Sequence, residues 1–285
     1  MGHLNWLAPS AAVVLCLGVS LTPAGGPPSL ETVTMNDVPC GPEGTATSAG
    51  GKALNRLKNR FTFPKPEDMD STVSLAAMLA PGADLTRFNS GKAATIRGFV
   101  IKVSHGGISH GESCNCKSQK ASEVDIHIDI GLTPNAPPRQ RVVAEITHRL
   151  RLLKGMETPP VDWSKAKIEQ EFEGQFVEIS GWLMFDTAHV NQAENTNPGN
   201  PGNFRATSWE LHPVTAIKKV NPPKKPLTPA SLNIGPLQEA HAEQVRDDKR
   251  ALDALRALRE DALKGFSAEE LKEIEEEAKE RQEKK

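Results

Sequence analysis

Histidine and acidic side chains gather in the middle of this 285-residue chain, and their types and spacing suit metal chemistry. Six of the eight histidines fall within residues 105–212. The segment 123–130 (EVDIHIDI) alternates strictly, which predicts a strand with Val and Ile on one face and Asp125, His127 and Asp129 on the other. Neutral imidazole and carboxylate together suit divalent ions such as zinc, manganese or nickel.

A neighbouring segment extends this polar face. Residues 141–148 (RVVAEITH) predict the next strand, with Glu145 pointing outward. Side chains directly opposite on paired strands have Cβ atoms about 4.5–5.5 Å apart, so two of them can hold one ion. We predict a divalent transition-metal site made by His127, Asp129 or Asp125, Glu145 and a further histidine. His212 on the last predicted strand is the chosen fourth ligand.

Other interpretations of these residues remain open at this stage. An alternating strand exposes polar side chains as a rule, so the same pattern fits a solvated face without any metal. No short motif such as His-Glu-x-x-His occurs. Cys114 and Cys116, with histidines nearby, also allow a thiolate–imidazole site. In an oxidising compartment, a disulfide from Cys40 to one of these two cysteines is the alternative.

The elements that must position these residues occur in a recognisable order. Three predicted strands are followed by a helix near residues 163–174 and by two further strands; the five strands cover residues 95–103, 123–130, 141–148, 176–185 and 208–220. This order resembles the oligonucleotide/oligosaccharide-binding (OB) barrel. Such barrels bind ligands on the outer face of strands two and three, between the loops that join strands one and two and strands four and five. Both of these loops are long here.

Two sequence segments strengthen that resemblance. Residues 181–186 (GWLMFD) and 209–214 (WELHPV) are similar to a pattern in exported bacterial OB-fold proteins of unassigned role. The predicted fold class is mainly β with flanking α: a five-stranded OB-like barrel plus a charged C-terminal helical tail. The resemblance covers residues 93–220 and implies a binding fold, without supplying catalytic residues.

The two long loops predict a ligand-binding surface. We expect a small molecule, a glycan or a protein partner to meet side chains at the rim and on the second loop: Trp182, Asp186, His189, Asn191 and Arg205. Nucleic acid is less favoured, because residues 93–220 carry equal numbers of basic and acidic side chains. The acids of the polar face would also repel phosphate unless a metal ion were bound.

Composition limits the function classes. The net charge is −2, from 34 basic and 36 acidic side chains, which excludes a strongly basic nucleic-acid coat protein. The first functional hypothesis is an exported OB-fold binding module. The alternative is a divalent-metal-dependent phosphodiesterase or nuclease that uses the His/Asp/Glu face, and the sequence does not decide whether the chain is an enzyme.

The rest of the chain predicts export and a tail. Residues 1–24 fit a cleaved signal peptide, so we expect a periplasmic or extracellular protein with no integral membrane span in its mature chain. A lipoprotein at Cys16 and a buried N-terminal helix are the alternatives.

The remaining segments outside the barrel are two linkers and a tail. Residues 25–92 predict a linker with a short basic helical arm, residues 221–236 a Pro/Lys linker, and residues 237–285 a charged tail. The tail fits a solvated arm or partner-docking helix, with Ser267 and Glu270 as a capping box, or a disordered segment.

Overall fold

The computed structural model describes residues 30–82, 84–225 and 234–283. The predicted signal peptide, residues 1–24, lies outside the described residues, as does much of the Pro/Lys linker. Two short strands, β1 (Val33–Met35) and β2 (Val38–Cys40), precede the helices α1 (Ala49–Lys58) and α2 (Leu75–Leu79).

Among the described residues, the helices are each too short or too polar to cross a membrane.

A closed five-stranded barrel forms the centre of the molecule. Its strands are β3 (Ala93–His105), β4 (Ile126–Gly131), β5 (Arg141–Ile146), β6 (Phe176–Phe185) and β7 (Trp209–Lys219). They are hydrogen-bonded in the order β3-β4-β5-β7-β6, and β6 closes the barrel onto β3. Only β5 and β7 pair in parallel; the other neighbours are antiparallel. The predicted OB-like fold class is confirmed.

Period-two alternation explains the register of the central pair. Ile126, Ile128 and Ile130 of β4 are completely buried inside the barrel. Burial of one such side chain stabilises the fold by about 1.5–3 kcal/mol. A slip by one residue would turn all three outward, so burial sets the register that places His127 directly opposite Glu145.

The predicted irregularities of the strands are only partly where the sequence placed them. Pro213 lies beside the shifts in the β6–β7 register, as expected of a proline within a strand. The bulge predicted at Gly98 falls instead between Val100 and Lys102. Gly98 is needed for close packing, since a Cβ there would lie 2.8 Å from the backbone carbonyl oxygen of Gly131.

Two helices connect β5 to β6. Helix α4 (Lys165–Phe172) occupies the predicted position and is capped by Ser164, whose hydroxyl accepts from the Lys167 N–H. Helix α3 (His148–Gly155) was not predicted, because residues 141–148 were assigned to one strand. The strand ends early because the Thr147 hydroxyl caps a helix by accepting from the Leu150 N–H.

Residues 30–92 pack against the barrel instead of forming a free linker. A disulfide joins Cys40 to Cys116, and the side chain of Met35 is fully buried beside it. The guanidinium of Arg149 donates to the carbonyls of Cys40 and Gly41, which fastens this segment to α3. Cys114 is the remaining cysteine of the described residues and is buried with a free thiol.

The charged tail is also folded onto the molecule. It forms α5 (Ile234–Asp247), α6 (Lys249–Leu263) and α7 (Ala268–Glu283). The predicted capping box is present: Ser267 N–H donates to the Glu270 carboxylate, and Glu270 N–H donates to the Ser267 hydroxyl. Helix α7 lies against the barrel, where Arg281 pairs with Asp129 at 3.2 Å, so it is not a solvated arm.

Candidate metal centre

The polar side chains of β4 and β5 lie on the outer face of the barrel, as the alternation predicts, but they are buried. His127 is 2% exposed and Glu145 is 1% exposed. Helices α1 and α7 and the two long loops close over this face. The interpretation as a solvated polar face is therefore wrong, because segments distant in the sequence exclude water from it.

Eight side chains on this face alternate between basic and acidic groups. In the first half, His127 Nε2 lies 3.1 Å from Glu145 Oε2. The same Glu145 oxygen lies 3.3 Å from His212 Nδ1. His212 Nδ1 lies 3.2 Å from Glu210 Oε2. Strands β4, β5 and β7 thus contribute neighbouring members of one connected set.

The second half runs through the loop between β6 and β7 to the tail. Glu210 contacts the Arg205 guanidinium, which lies 3.8 Å from Asp186 Oδ2. Asp186 Oδ2 and His189 Nδ1 are joined by a 2.6 Å hydrogen bond. His189 Nε2 lies 3.3 Å from Glu277 Oε1, which α7 supplies.

Glu277 in turn lies close to His127, so the contacts close into a ring. Glu277, His127 and Glu112 each place one ligand atom within 4.8 Å of the others. We call the eight residues the polar ring: His127, Glu145, His212, Glu210, Arg205, Asp186, His189 and Glu277. Lys58 of α1 is buried against the ring. Burial acts to lower the pKa of its ammonium, but Asp186 and Glu112 outweigh this and raise the pKa well above its usual value.

Two histidines of the polar ring are oriented in the manner of metal ligands. His212 Nδ1 hydrogen-bonds to the Glu210 carboxylate, and His189 Nδ1 hydrogen-bonds to the Asp186 carboxylate. A carboxylate at Nδ1 holds the proton there and turns the Nε2 lone pair outward, which is the usual support for a metal-bound imidazole. Both Nε2 atoms are buried and lack a hydrogen-bond partner within the described chain.

The unpartnered atoms approach one another without hydrogen-bond geometry. His212 Nε2 lies 3.8 Å from Asp125 Oδ2, and His127 Nε2 lies 3.1 Å from Glu145 Oε2. Asp125 Oδ1 and Glu145 Oε2 are likewise buried without a hydrogen bond in the described residues. Ligand atoms about 2.1 Å from a tetrahedral zinc ion lie about 3.4 Å from each other. These spacings are therefore close to those of a coordination shell.

The buried face is short of fixed positive charge. Six carboxylates meet there, namely Glu112, Asp125, Glu145, Asp186, Glu210 and Glu277, against the buried cations Lys58 and Arg205, with the guanidiniums of Arg149, Arg151 and Arg281 at the edge of the face. Burial of uncompensated carboxylates is costly. The site therefore favours the binding of a cation, which can be either a proton on an imidazole or a metal ion.

The pKa values of the buried histidines and of Glu112 are raised, which also indicates that this face lacks positive charge. Burial acts to lower the pKa of His189, but Glu277 and Asp186 raise it to about 9. Burial also acts to lower the pKa of His212, and Glu145 reverses the effect and raises it. Burial and then the charge of Glu277 raise the pKa of Glu112 to about 7. In the absence of another cation, protons supply the missing charge.

Four groups of residues have ligand atoms within 4.8 Å of each other among the described residues; they are Asp125–Glu145–His212, Glu112–His127–Glu277, Glu112–Cys114–Asp125 and Asp186–His189–Glu210. The first group combines an unpartnered imidazole nitrogen with unpartnered carboxylate oxygens. Its ligands come from the barrel strand β5, from β7 and from the residue before β4. We take Asp125–Glu145–His212 as the candidate metal centre and call it the barrel site.

The predicted metal ligands are only partly brought together. His127, Glu145 and His212 adjoin one another in the polar ring. Asp129 is turned aside, where its carboxylate pairs with Arg141 and with Arg281, each at 3.2 Å. The alternative ligand Asp125 takes its place, because it lies next to His212.

The predicted loop-binding residues are engaged within the chain. The Trp182 indole N–H donates to the Thr62 carbonyl, and the Asn191 carbonyl accepts from the Asn197 amide. Asp186, His189 and Arg205 belong to the polar ring and are at most 1% exposed. None of these side chains presents a free polar tip at the described surface, apart from the partly exposed Asn191.

Sequence reasoning missed Lys58 and Glu277. Lys58 lies in a segment predicted as a basic arm, where nothing separates it from its basic neighbours. Helix α7 contains eight glutamates, and only tertiary contact distinguishes Glu277 from the rest. The apolar residue Ile274 was the one weak indication in the sequence that this side of α7 packs against the barrel.

Comparisons with known proteins do not extend the assignment, since the chain matches no protein-family model, no curated protein and no solved structure. Function is therefore inferred from the side chains of the polar ring and their surroundings.

Proposed function

We propose that this protein is an exported OB-type binding module whose ligand is a divalent transition-metal ion held at the barrel site. The supporting observation is the His212 imidazole. Its Nδ1 is fixed by Glu210, and its buried, unpartnered Nε2 faces Asp125. This is the orientation that a metal-bound histidine needs.

The composition of the barrel site indicates which ions fit. Asp125 and Glu145 supply carboxylate oxygens and His212 supplies an imidazole nitrogen, a set that suits zinc, manganese or nickel. Burial of all three side chains, each at most 1% exposed, favours tight retention of the ion over rapid exchange. A small molecule, glycan or protein is less favoured, since four of the five side chains expected to bind one, Trp182, Asp186, His189 and Arg205, are already engaged within the chain.

Export is part of the proposal. The Cys40–Cys116 disulfide supports it, because such bonds persist in oxidising compartments such as the periplasm or the extracellular space.

Metal binding tests the function directly. The protein is stripped with EDTA, dialysed and titrated calorimetrically with Zn²⁺, Mn²⁺ or Ni²⁺, and the bound metal is measured by elemental analysis. We expect His212→Ala to weaken binding at least tenfold, whereas His241→Ala leaves it unchanged. His241 is a suitable control because it lies on α5, where its electrostatic neighbours are Glu194 and Arg87. Absence of any bound metal in the folded wild type would refute the proposal.

A metal-dependent phosphodiesterase is the second candidate, and a neighbouring cavity favours it. The cavity has a volume of about 50 Å³ and adjoins His127. Its wall includes the basic side chains of Lys102, Arg141 and Arg281 together with the acids Asp129, Glu277 and Glu280, and Asp129 pairs with both arginines. Cationic side chains beside a metal ion suit a phosphate group, and an ion there would supply a polarised water molecule.

Hydrolysis of bis-(p-nitrophenyl) phosphate, followed with and without Mn²⁺ or Zn²⁺, separates the two candidates. Activity that requires the ion and falls at least a hundredfold in His212→Ala supports the enzyme. Metal binding without any turnover, either in the intact chain or after proteolytic removal of the tail, would reject the phosphodiesterase and support only the binding module.

A further inference from the structure

Helix α7 carries a charge that opposes its position. It contains eight glutamates and only three basic residues, yet it lies on a face that bears Glu112 and Glu145. Its apolar contribution is small: Ile274 joins a cluster with Leu54 and Met184. Apolar burial alone is therefore a weak means of holding this helix, and electrostatic contacts must contribute to its attachment.

Glu277 is the member of the polar ring that α7 supplies. It is 6% exposed, and its carboxylate lies 3.3 Å from His189 Nε2. Glu277, Glu112 and His127 each place one ligand atom within 4.8 Å of the others, and all three side chains are buried. Two carboxylates and an imidazole at this spacing are the donor set of a divalent ion.

Unpartnered atoms give independent support for a ligand here. Glu112 Oε1 is buried and has no hydrogen-bond partner in the described part of the chain, and His127 Nε2 makes no contact with hydrogen-bond geometry there, although Glu145 Oε2 lies 3.1 Å from it. Lys58 lies nearby, but Asp186 and Glu145 also draw on its single charge. One ammonium therefore does not neutralise both Glu112 and Glu277, and the His189 imidazole beside Glu277 is shared with Asp186.

The surroundings of His127 allow coordination through Nε2. Its Nδ1 contacts the Arg281 guanidinium. A metal-bound Nε2 requires the imidazole proton on Nδ1, so the guanidinium must then leave that nitrogen. Arg281 already has a second partner, Asp129 Oδ1 at 3.2 Å, which can keep the guanidinium in place.

We propose that Glu112, His127 and Glu277 form a second divalent-metal site, which fastens the C-terminal helix α7 to the barrel. We call it the latch site. The barrel site takes all its ligands from one side of the interface, whereas the latch site takes Glu277 from the tail. An ion in the latch site therefore binds the docked tail and not the released one, so ion binding and tail docking stabilise each other.

The latch site gives the tail a defined role. Helix α7 covers the outer face of β4, where OB barrels bind their ligands. The concentration of a divalent ion then controls how firmly α7 covers that face. This inference goes beyond the proposed function, since it assigns different ligands and a different consequence.

Hydrogen exchange of α7 tests the latch. Full-length protein is compared in EDTA and in excess Zn²⁺ or Mn²⁺. We expect the α7 amides to exchange at least tenfold more slowly with the ion than with EDTA. Because the ion binds only the docked tail, amide exchange of α7 can slow by up to about a hundredfold when the free ion is at 100 times its Kd. Glu277→Gln should lose this gain and bind one ion fewer, while its barrel amides remain protected.

Glu276→Gln is the matched control. Glu276 is the neighbouring acid on α7, its side chain is 44% exposed, and it pairs only loosely with Lys272 at 3.7 Å. This variant should behave as the wild type in both measurements. Exchange of α7 that does not respond to the ion in the wild type, or a full response in Glu277→Gln, would overturn the latch.

Stoichiometry separates failure of the latch from failure of the barrel site. A single bound ion that His212→Ala removes and Glu277→Gln does not would sink the latch and leave the proposed function standing. A single bound ion that is lost in Glu277→Gln but not in His212→Ala would reject the barrel site and support the latch site.

Discussion

His127 of β4 and Glu145 of β5 lie directly opposite each other on the outside of the barrel, with Nε2 and Oε2 3.1 Å apart. Both side chains are buried, although an outward position on a barrel strand usually meets solvent. Their pairing follows from strand register, and their burial follows from the tail and the N-terminal segment. This combination turns an ordinary polar strand face into a buried one, in which Glu145 belongs to the barrel site and His127 to the latch site.

Removal of the Glu145 charge should strongly destabilise the metal-free protein. The carboxylate serves both His127 and His212, and loss of one partner from a buried ion pair costs about 3–5 kcal/mol. We expect Glu145→Gln to lower the free energy of unfolding by about 3 kcal/mol in urea denaturation with EDTA. Glu178→Gln is the control: Glu178 pairs with the exposed side chains of Arg97 and Lys218, so its loss should cost under about 1 kcal/mol. Equal effects of the two variants would contradict the prediction.

The Glu270 cap should make the attachment of α7 sensitive to acid. Burial raises the pKa of this carboxyl, but hydrogen bonds from Ser48, Ser267 and Thr47 outweigh it and bring the pKa to about 2. A lowered pKa in the folded state means that the stabilisation is complete above about pH 5 and is lost as the pH falls towards 2. Glu270→Gln should therefore be less stable than the wild type by about 1–2 kcal/mol at pH 7.

The difference between wild type and Glu270→Gln should shrink as urea midpoints are measured at pH 7, 4 and 3. Glu269→Gln, which changes an exposed neighbour, should track the wild type throughout. A difference that stays constant down to pH 3 would contradict the role of the Glu270 charge.

The disulfide should contribute strongly to stability. Cys40 and Cys116 are 76 residues apart, and a bond closing so long a loop stabilises a fold by about 2–4 kcal/mol. We expect dithiothreitol to lower the urea midpoint of the wild type and of Cys114→Ala alike. The double variant Cys40→Ala/Cys116→Ala should not respond to the reductant. A response that disappears in Cys114→Ala would instead indicate pairing through Cys114.

Trp182 should act in folding and not in ligand binding. Its indole N–H donates a 2.7 Å hydrogen bond to the Thr62 carbonyl, and the Arg60 guanidinium lies 5.1 Å from the ring centroid. Trp182→Phe removes the donor, so it should lower the free energy of unfolding by about 1 kcal/mol. Calorimetric metal affinity should stay within twofold of the wild type. A tenfold loss of affinity without loss of stability would show that Trp182 belongs to the binding surface.

The local parts of the fold were predictable because they depend on periodicity. Strand β6 has the predicted bounds, and Ser267 and Glu270 form the predicted cap. The shared outward face of His127 and Glu145 also followed, since alternation decides which side chains of two paired strands share a face. By contrast, Thr147 ends β5 through a hydrogen bond that strand periodicity does not reveal.

The sequence by itself determined the succession of strands along the chain, the outward direction of His127 and Glu145, and the charge of the tail. Only the tertiary structure decided that these side chains are buried, that Asp125 replaces Asp129 beside His212, and that Glu277 approaches Glu112. The physical reason is one of range. Alternation and capping act between residues close in sequence or paired in register, whereas burial of the polar ring depends on where α1 and α7 dock. Docking reflects the summed contacts of distant segments, which local patterns do not contain.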